Sequence, residues 1–315
     1  MTRLLTLGET LGVAVTATGD PLRTARSLRL STAGAESTVA IGMRRLGHEA
    51  VWVGVVGDDE MGARVIRDLS AEGVDVRFVR TTPTGATGFM LRELRTAELT
   101  RVSYYRDSSA GAQLAPDDIE GAFAAGVDLV HVTGITLALG SAPAAAVQRA
   151  VQLARIHGAS VSFDVNYRSA LGEPSTAADV ARKLLPEVDV LFVGDDELHL
   201  LTTEPDPVAA AHQLATAGPA EVIVKCGAEG SVAVTADGRL ARYDAWPVQV
   251  VDAIGAGDSF TAGYLAARAE ALPVPDRLRW ATICAAATVG SHGDWEGLPT
   301  RGELDRRRPE AVFVR

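Results

Sequence analysis

The chain has 315 residues, of which 47% are hydrophobic and 22% charged, enough apolar material for a large core and near the upper size of one domain. Its 40 acidic and 30 basic side chains leave a formal charge of -10, which argues against nucleic acid as a partner because no basic surplus exists to neutralise a phosphate backbone. Two cysteines, Cys226 and Cys284, are too few and too far apart for a disulfide framework or a Cys-based zinc site, and the six histidines show no metal-ligand spacing.

At the start, residues 1–11 lack the basic segment, long apolar run and small-residue cleavage site of a secretion signal, and no stretch reaches the length of a membrane span, so a reducing cytoplasm is expected. The stretches 11–17, 29–31, 75–79, 87–94 and 100–105 alternate or are separated by turns such as Thr82-Pro83-Thr84-Gly85, which predicts a small antiparallel sheet. This sheet interrupts the first βα units and so reads as an inserted flap, a lid or a dimer interface. In Arg101-Val102-Ser103-Tyr104-Tyr105-Arg106, period two puts Tyr104 and Arg106 on one face of a lid strand, where they either close on an anionic ligand or merely pack the strand.

From residue 129 onward, apolar runs at 129–132, 161–164 and 190–193 alternate with helical patterns at 142–155 and 177–185. That rhythm predicts a mostly parallel sheet covered on both faces, whose ligands bind at the carboxyl ends of the strands. Residues just after the apolar runs are therefore the candidates. Asp164, Asn166 and Arg168 share one side of an extended continuation, unless the segment is only a strand-exit turn with a solvated arginine. Gly194-Asp195-Asp196-Glu197 puts three acids at a strand end, suited to ordering Mg2+ through waters or simply to a helix first turn. Lys225-Cys226-Gly227-Ala228-Glu229-Gly230 is a strand end followed by a glycine turn, fit for a nucleotide or for a hairpin.

The most informative stretch is Asp252-Ala253-Ile254-Gly255-Ala256-Gly257-Asp258-Ser259-Phe260-Thr261. An apolar run ends, glycines let the backbone come close, and a helical pattern opens, so bare N–H groups at the helix start form an anion site with a carboxylate beside it. Phe260 replaces the third glycine of a dinucleotide fingerprint, and Gly-Lys-Ser/Thr occurs nowhere, which excludes Rossmann and Walker A readings. Locally, Asp258 also fits an ordinary first-turn aspartate.

The ordered set Gly34-Ala35-Glu36, Asp164 to Arg168, Asp195 to Glu197, Lys225 to Gly230 and Asp252 to Thr261 resembles the ribokinase-like (PfkB) carbohydrate kinases over nearly the whole chain. Within them, Tyr104-Tyr105-Arg106, Val132-Thr133-Gly134-Ile135-Thr136 and Gly293-Asp294-Trp295-Glu296-Gly297 are similar to the 2-keto-3-deoxygluconate kinases. The resemblance implies an α/β ribokinase-like fold, one kinase domain over 1–315 with lid strands drawn from about 11–31 and 75–106, and a homo-oligomer formed through the lid. It also implies transfer of the ATP γ-phosphate to a primary hydroxyl of a sugar acid, 2-keto-3-deoxygluconate first. A kinase of a neutral sugar such as fructose or ribose, and a non-catalytic sensor, are the alternatives.

By this resemblance Asp258 is the base, and the N–H groups of Gly255, Ala256 and Gly257 form the anion hole. Gly34, Thr38, Phe89, Tyr104, Arg106, Asn166 and Arg168 contact the sugar. Lys225, Gly227, Gly230, Gly255, Gly257 and Thr282 lie along ATP, and Glu197 orders Mg2+ waters. Asp252 stands where family members can hold a monovalent cation such as K+. Thr38, Phe89 and Thr282 depart from the Asn, Tyr and Asn of comparable enzymes, and Gly194 from an Asn or Ser, which bears on substrate and nucleotide preference.

Overall fold

The computed structural model describes residues 1–96 and 100–307. Its strands follow in chain order as β1 (Arg3–Leu7), β2 (Leu11–Val15), β3 (Arg29–Ala33), β4 (Glu49–Val53), β5 (Val55–Gly57), β6 (Arg80–Thr82) and β7 (Phe89–Leu94). They continue as β8 (Thr100–Tyr105), β9 (Leu129–Thr133), β10 (Ser160–Asp164), β11 (Val190–Gly194), β12 (Glu221–Lys225), β13 (Ser231–Thr235) and β14 (Leu240–Tyr243).

The main sheet has the order β14-β13-β12-β11-β10-β9-β1-β4. Every pair from β12 to β4 is parallel, and β13 and β14 close one edge antiparallel. The apolar runs form strands here because both faces are covered: Leu191 and Val193 enter one core, while Val190 and Phe192 enter the other. Each such side chain, fully buried, stabilises the fold by about 1.5–3 kcal/mol. Helix Ser141–His157 covers the first face, and helices Ala35–Arg45, Ala256–Ala269 and Val274–Val289 cover the second. No helix among the described residues is long and apolar enough to cross a membrane.

The second sheet has the order β3-β2-β7-β8. It is mixed, not antiparallel throughout as its turn-rich sequence suggests, because β2 and β7 run parallel at its centre. The intervening helices Ala35–Arg45 and Glu60–Ala71 and strands β4 to β6 supply the crossover such a pair requires. The expected strand at 75–79 is also corrected. Asp75 makes only an isolated bridge to Val51, its Oδ1 accepts from Arg77 N at 3.1 Å, and Val79 N donates to Val76 O, so the chain turns before β6 begins. The small strand β6 pairs with β5 apart from the second sheet. Residues 97–99 of the expected lid stretch, and 308–315 of the expected domain, lie outside the described residues.

Candidate active site

Strands β10, β11 and β12 end side by side, with Asp164, Gly194 and Lys225 as their last residues. Lys225 Nζ donates to Asp164 Oδ1 and Oδ2 at 2.9 and 2.7 Å, and Thr261 Oγ1 donates to the same carboxylate at 3.1 Å. Burial alone would depress the Lys225 ammonium, but Asp164, Glu197 and Asp258 outweigh it and hold it above its usual range. The lysine therefore stays charged. Its head lies beside the glycine turn, 3.5 Å from where a Cβ on Gly257 would sit.

Helix Ala256–Ala269 starts at Gly255, whose φ of 79° is left-handed, and no side chain among the described residues caps it. Its first-turn N–H groups sit at the positive end of the helix dipole, and of these Ala256 N donates a long bond to Ala253 O at 3.4 Å. Asp258 stands in that first turn, and Asn166 Nδ2 donates to its Oδ1 at 3.0 Å. Asn166 adopts φ 38°, a conformation asparagine tolerates better than most residues, and this turns its amide to the carboxylate. Burial, with Asp164 adding, raises the Asp258 carboxyl to about 6, although Arg168, Lys225 and Asn166 pull the other way. A carboxylate poised there can both take and return a proton near neutral pH.

The sequence also singles out Glu197, which is buried in a 3-10 turn, Asp195–Leu200, instead of a full helix. Its Oε1 accepts from Tyr167 N at 2.6 Å and its Oε2 from Gly194 N at 2.8 Å, so it ties two strand-end loops together. Asp195 and Asp196 face solvent, so the three acids do not converge. Lys225, Gly227, Gly230, Gly257 and Thr282 all line one cleft of about 680 Å³, with Trp246 and Val248 on its apolar wall. The Thr282 hydroxyl is buried there without a partner among the described residues.

Around the start of helix Ala35–Arg45, Gly34 permits close approach: a Cβ there would lie 2.7 Å from the Glu9 carbonyl. Thr38 is fully buried in that helix, and its hydroxyl has no partner among the described residues. Arg106 is not free, since it forms an ion pair with the buried Glu9, whose other oxygen is bonded by Ser109. The Arg106 guanidinium also lies 5.7 Å from the centroid of the half-exposed Tyr104 ring. Phe89 opens β7, opposite Tyr105 on β8, with its ring against Gly12. Arg168 is exposed, and its charge acts on Asp258.

Glu9 and Arg92 escaped the sequence reading, and Glu36 entered it only within a motif, without a role. Glu9 follows β1 and obeys the strand-end rule already applied to Asp164. Glu36 is buried, accepts from Thr133 and Thr136 hydroxyls at 2.6 and 2.5 Å, and is pushed up to about 7 by burial, with Asp258 adding. Arg92 interrupts the inward face Met90, Arg92, Leu94 of β7. Its Nη2 reaches Asp252 Oδ1 and Oδ2 at 2.7 and 2.5 Å, so the carboxylate expected to hold a monovalent cation already holds a guanidinium.

Comparison with known proteins bears on this arrangement. The family model for pfkB family carbohydrate kinases matches residues 1–301. The chain belongs to this family. A 2-dehydro-3-deoxygluconokinase of Thermoproteus tenax is 34% identical over 97% of this chain and 94% of its own length. A 2-dehydro-3-deoxygalactonokinase of Haloferax volcanii is 32% identical over 96% of this chain and 95% of its own. Among solved structures, an E. coli protein provisionally named ribokinase II, in complex with ATP and Mg2+, superposes with a TM-score of 0.89 at 25% identity, covering 97% of this chain and 98% of that one. The PfkB chain is thus a carbohydrate kinase with a ribokinase-like fold, a phosphotransferase acting on an alcohol group.

Proposed function

We propose that this PfkB kinase transfers the γ-phosphoryl group of ATP to the primary hydroxyl of a six-carbon 2-keto-3-deoxy sugar acid, with 2-keto-3-deoxygluconate as substrate. One observation carries the reading: Asp258, held by Asn166 and raised to about 6, stands at an uncapped helix start beside the Lys225 ammonium. Phosphoryl transfer asks for positioning and charge stabilisation more than for a covalent nucleophile. Asp258 takes the hydroxyl proton as the oxygen attacks, and the N–H groups of Gly255, Ala256 and Gly257 together with Lys225 receive the charge that grows on the phosphoryl oxygens.

ATP takes the cleft that includes Gly227, Gly230 and Thr282. The donor set suits Mg2+ carried mainly by phosphates and water, because no group of three His, Cys, Asp or Glu among the described residues forms a metal cage. Glu197 is the carboxylate nearest in kind to that task, through the lone pairs its two backbone bonds leave. When bound, Mg2+ neutralises charge on the triphosphate.

The acid end of the substrate is assigned to Arg106 and Arg168, with Gly34, Thr38, Phe89, Tyr104 and Asn166 around the sugar. Glu9 acts here by fixing Arg106 through Nη2, which leaves Nη1 as the nitrogen for a carboxylate, since Nε is buried. Names of the two relatives support an acid substrate, and so does the positive charge of Arg168, which acts on Asp258. The second sheet is read as a lid on a single kinase domain. Its edge strands expose Leu30, Tyr104 and Tyr105, which supports docking of a second copy there. Cytoplasmic residence is supported by two free thiols.

Arg106→Ala and Arg168→Ala test the acid end. Each should raise KM for 2-keto-3-deoxygluconate by about 10–150-fold, the value of a charge-assisted hydrogen bond of about 1.5–3 kcal/mol, with KM for ATP unchanged. Unchanged sugar KM in both variants would remove the arginines from the substrate.

A further inference from the structure

Strand β7 turns Arg92 inward between Met90 and Leu94, and the side chain is 1% exposed. A guanidinium in such a place persists only if its charge is matched. Two carboxylates from distant parts of the chain match it: Asp252 accepts from Nη2 through both oxygens, and Asp294 Oδ1 accepts from Nη1 at 2.9 Å. Both aspartates border the glycine turn. Asp252 Oδ1 accepts from Ile254 N at 3.2 Å, next to Gly255, and its Oδ2 from Gly293 N at 3.4 Å. The Asp294 carbonyl lies so close to Gly255 that a Cβ there would approach it to 2.1 Å.

We propose that Arg92 is a positioning residue, a cation built into the second sheet that fixes the Gly255–Asp258 turn from both sides, so that phosphoryl transfer by this chain needs no added monovalent cation. The group that the resemblance implies at Asp252 does not fit. Both of its carboxylate oxygens face the guanidinium, and a second cation beside them would be repelled by Arg92. The role rests on the kinase reading of the turn. It also makes β7 a mechanical link, since this strand carries Phe89 at one end and the clamp on the anion hole towards the other.

The test uses the full-length protein freed of alkali ions, with choline chloride setting the ionic strength and KCl or NaCl exchanged for it. Turnover of ATP and 2-keto-3-deoxygluconate by the wild type should be the same in all three salts. Arg92→Ala in choline should lose about 100-fold in kcat, as expected when an anion hole is disordered, while both KM values move little. KCl or low guanidinium should restore about tenfold of that loss, a rescue worth about 1.4 kcal/mol that no generally damaged fold would give. Arg92→Met, which keeps the bulk of the stem, serves if the alanine variant does not fold.

Stimulation of the wild type about tenfold or more by KCl would overturn the proposal, as would full kcat for Arg92→Ala in choline. Thermal unfolding gives a second readout free of any substrate. KCl in place of choline should raise Tm of Arg92→Ala and leave the wild type unmoved, whereas a KCl-dependent rise in the wild type overturns the built-in cation. A wild type inactive on every sugar would sink the substrate reading alone, and these melting curves would still decide the role of Arg92.

Discussion

Asp258→Asn should lower kcat by about 10²–10⁴-fold, the usual worth of a positioned general base, and should at the same time make the protein more stable at pH 8. The stability gain follows from what raises the carboxyl. Burial and Asp164 lift it from 3.8 to about 6 against the pull of Arg168, Lys225 and Asn166. An acid raised by folding contributes stability that is complete below its unfolded value near 3.8 and is lost as pH climbs through about 6. Above that pH the native state carries a carboxylate that its surroundings disfavour. Two units correspond to about 3 kcal/mol at most, and partial solvent access brings the expected gain to about 1–3 kcal/mol. Urea unfolding at pH 8 and pH 4 measures it: the gain should be present at pH 8 and absent at pH 4. In the wild type, kcat should fall about tenfold per unit below pH 6 as the base takes up its proton. A variant with no loss of kcat would move the base elsewhere.

Gly255→Ala should cost about 10²–10³ in kcat with the KM for ATP little changed. Two independent conflicts meet at this position. A φ of 79° costs a non-glycine residue about 1–2 kcal/mol, and the new Cβ would stand 2.1 Å from the Asp294 carbonyl. Either the turn or the 293–294 segment must shift, and the N–H groups at the helix start shift with it. The apolar end of the cleft, at Thr282, Trp246 and Val248, which the proposed function gives to the adenosine, is built from other segments and should keep its affinity. Gly158→Ala, away from the site, is the control. Its φ of 71° carries a similar backbone cost, but nothing among the described residues lies within 4 Å of its Cβ position, so steady-state kinetics should show only a small loss. Equal losses in the two variants would mean that backbone strain, not the fit against Asp294, decides.

The parts of the site legible in the sequence are those carried by consecutive residues. Gly255 to Asp258 announces itself because the glycines, the helix start and the carboxylate are adjacent, and Asp164 to Arg168 because an apolar run ends there. The parallel order of the main sheet follows from runs apolar on both faces. What could not be read are partnerships closed across the fold. Arg92 lies 160 residues before Asp252 and 202 before Asp294, and Arg106 meets a glutamate from the end of β1. Alternation in β7 did hold the signal for Arg92, since a charge at an inward position demands a buried partner. The turn at 75–79 was hidden for another reason: Asp75 engages Arg3 and Arg77 by side chain, and such bonds leave no periodicity.

The most direct measurement is ADP formation by the wild type with ATP and Mg2+ on 2-keto-3-deoxygluconate, 2-keto-3-deoxygalactonate, fructose, ribose and no sugar, with Asp258→Asn in parallel. Turnover confined to the sugar acids, and lost in the variant, is the result this account predicts. Turnover of fructose or ribose in preference to both acids would contradict it.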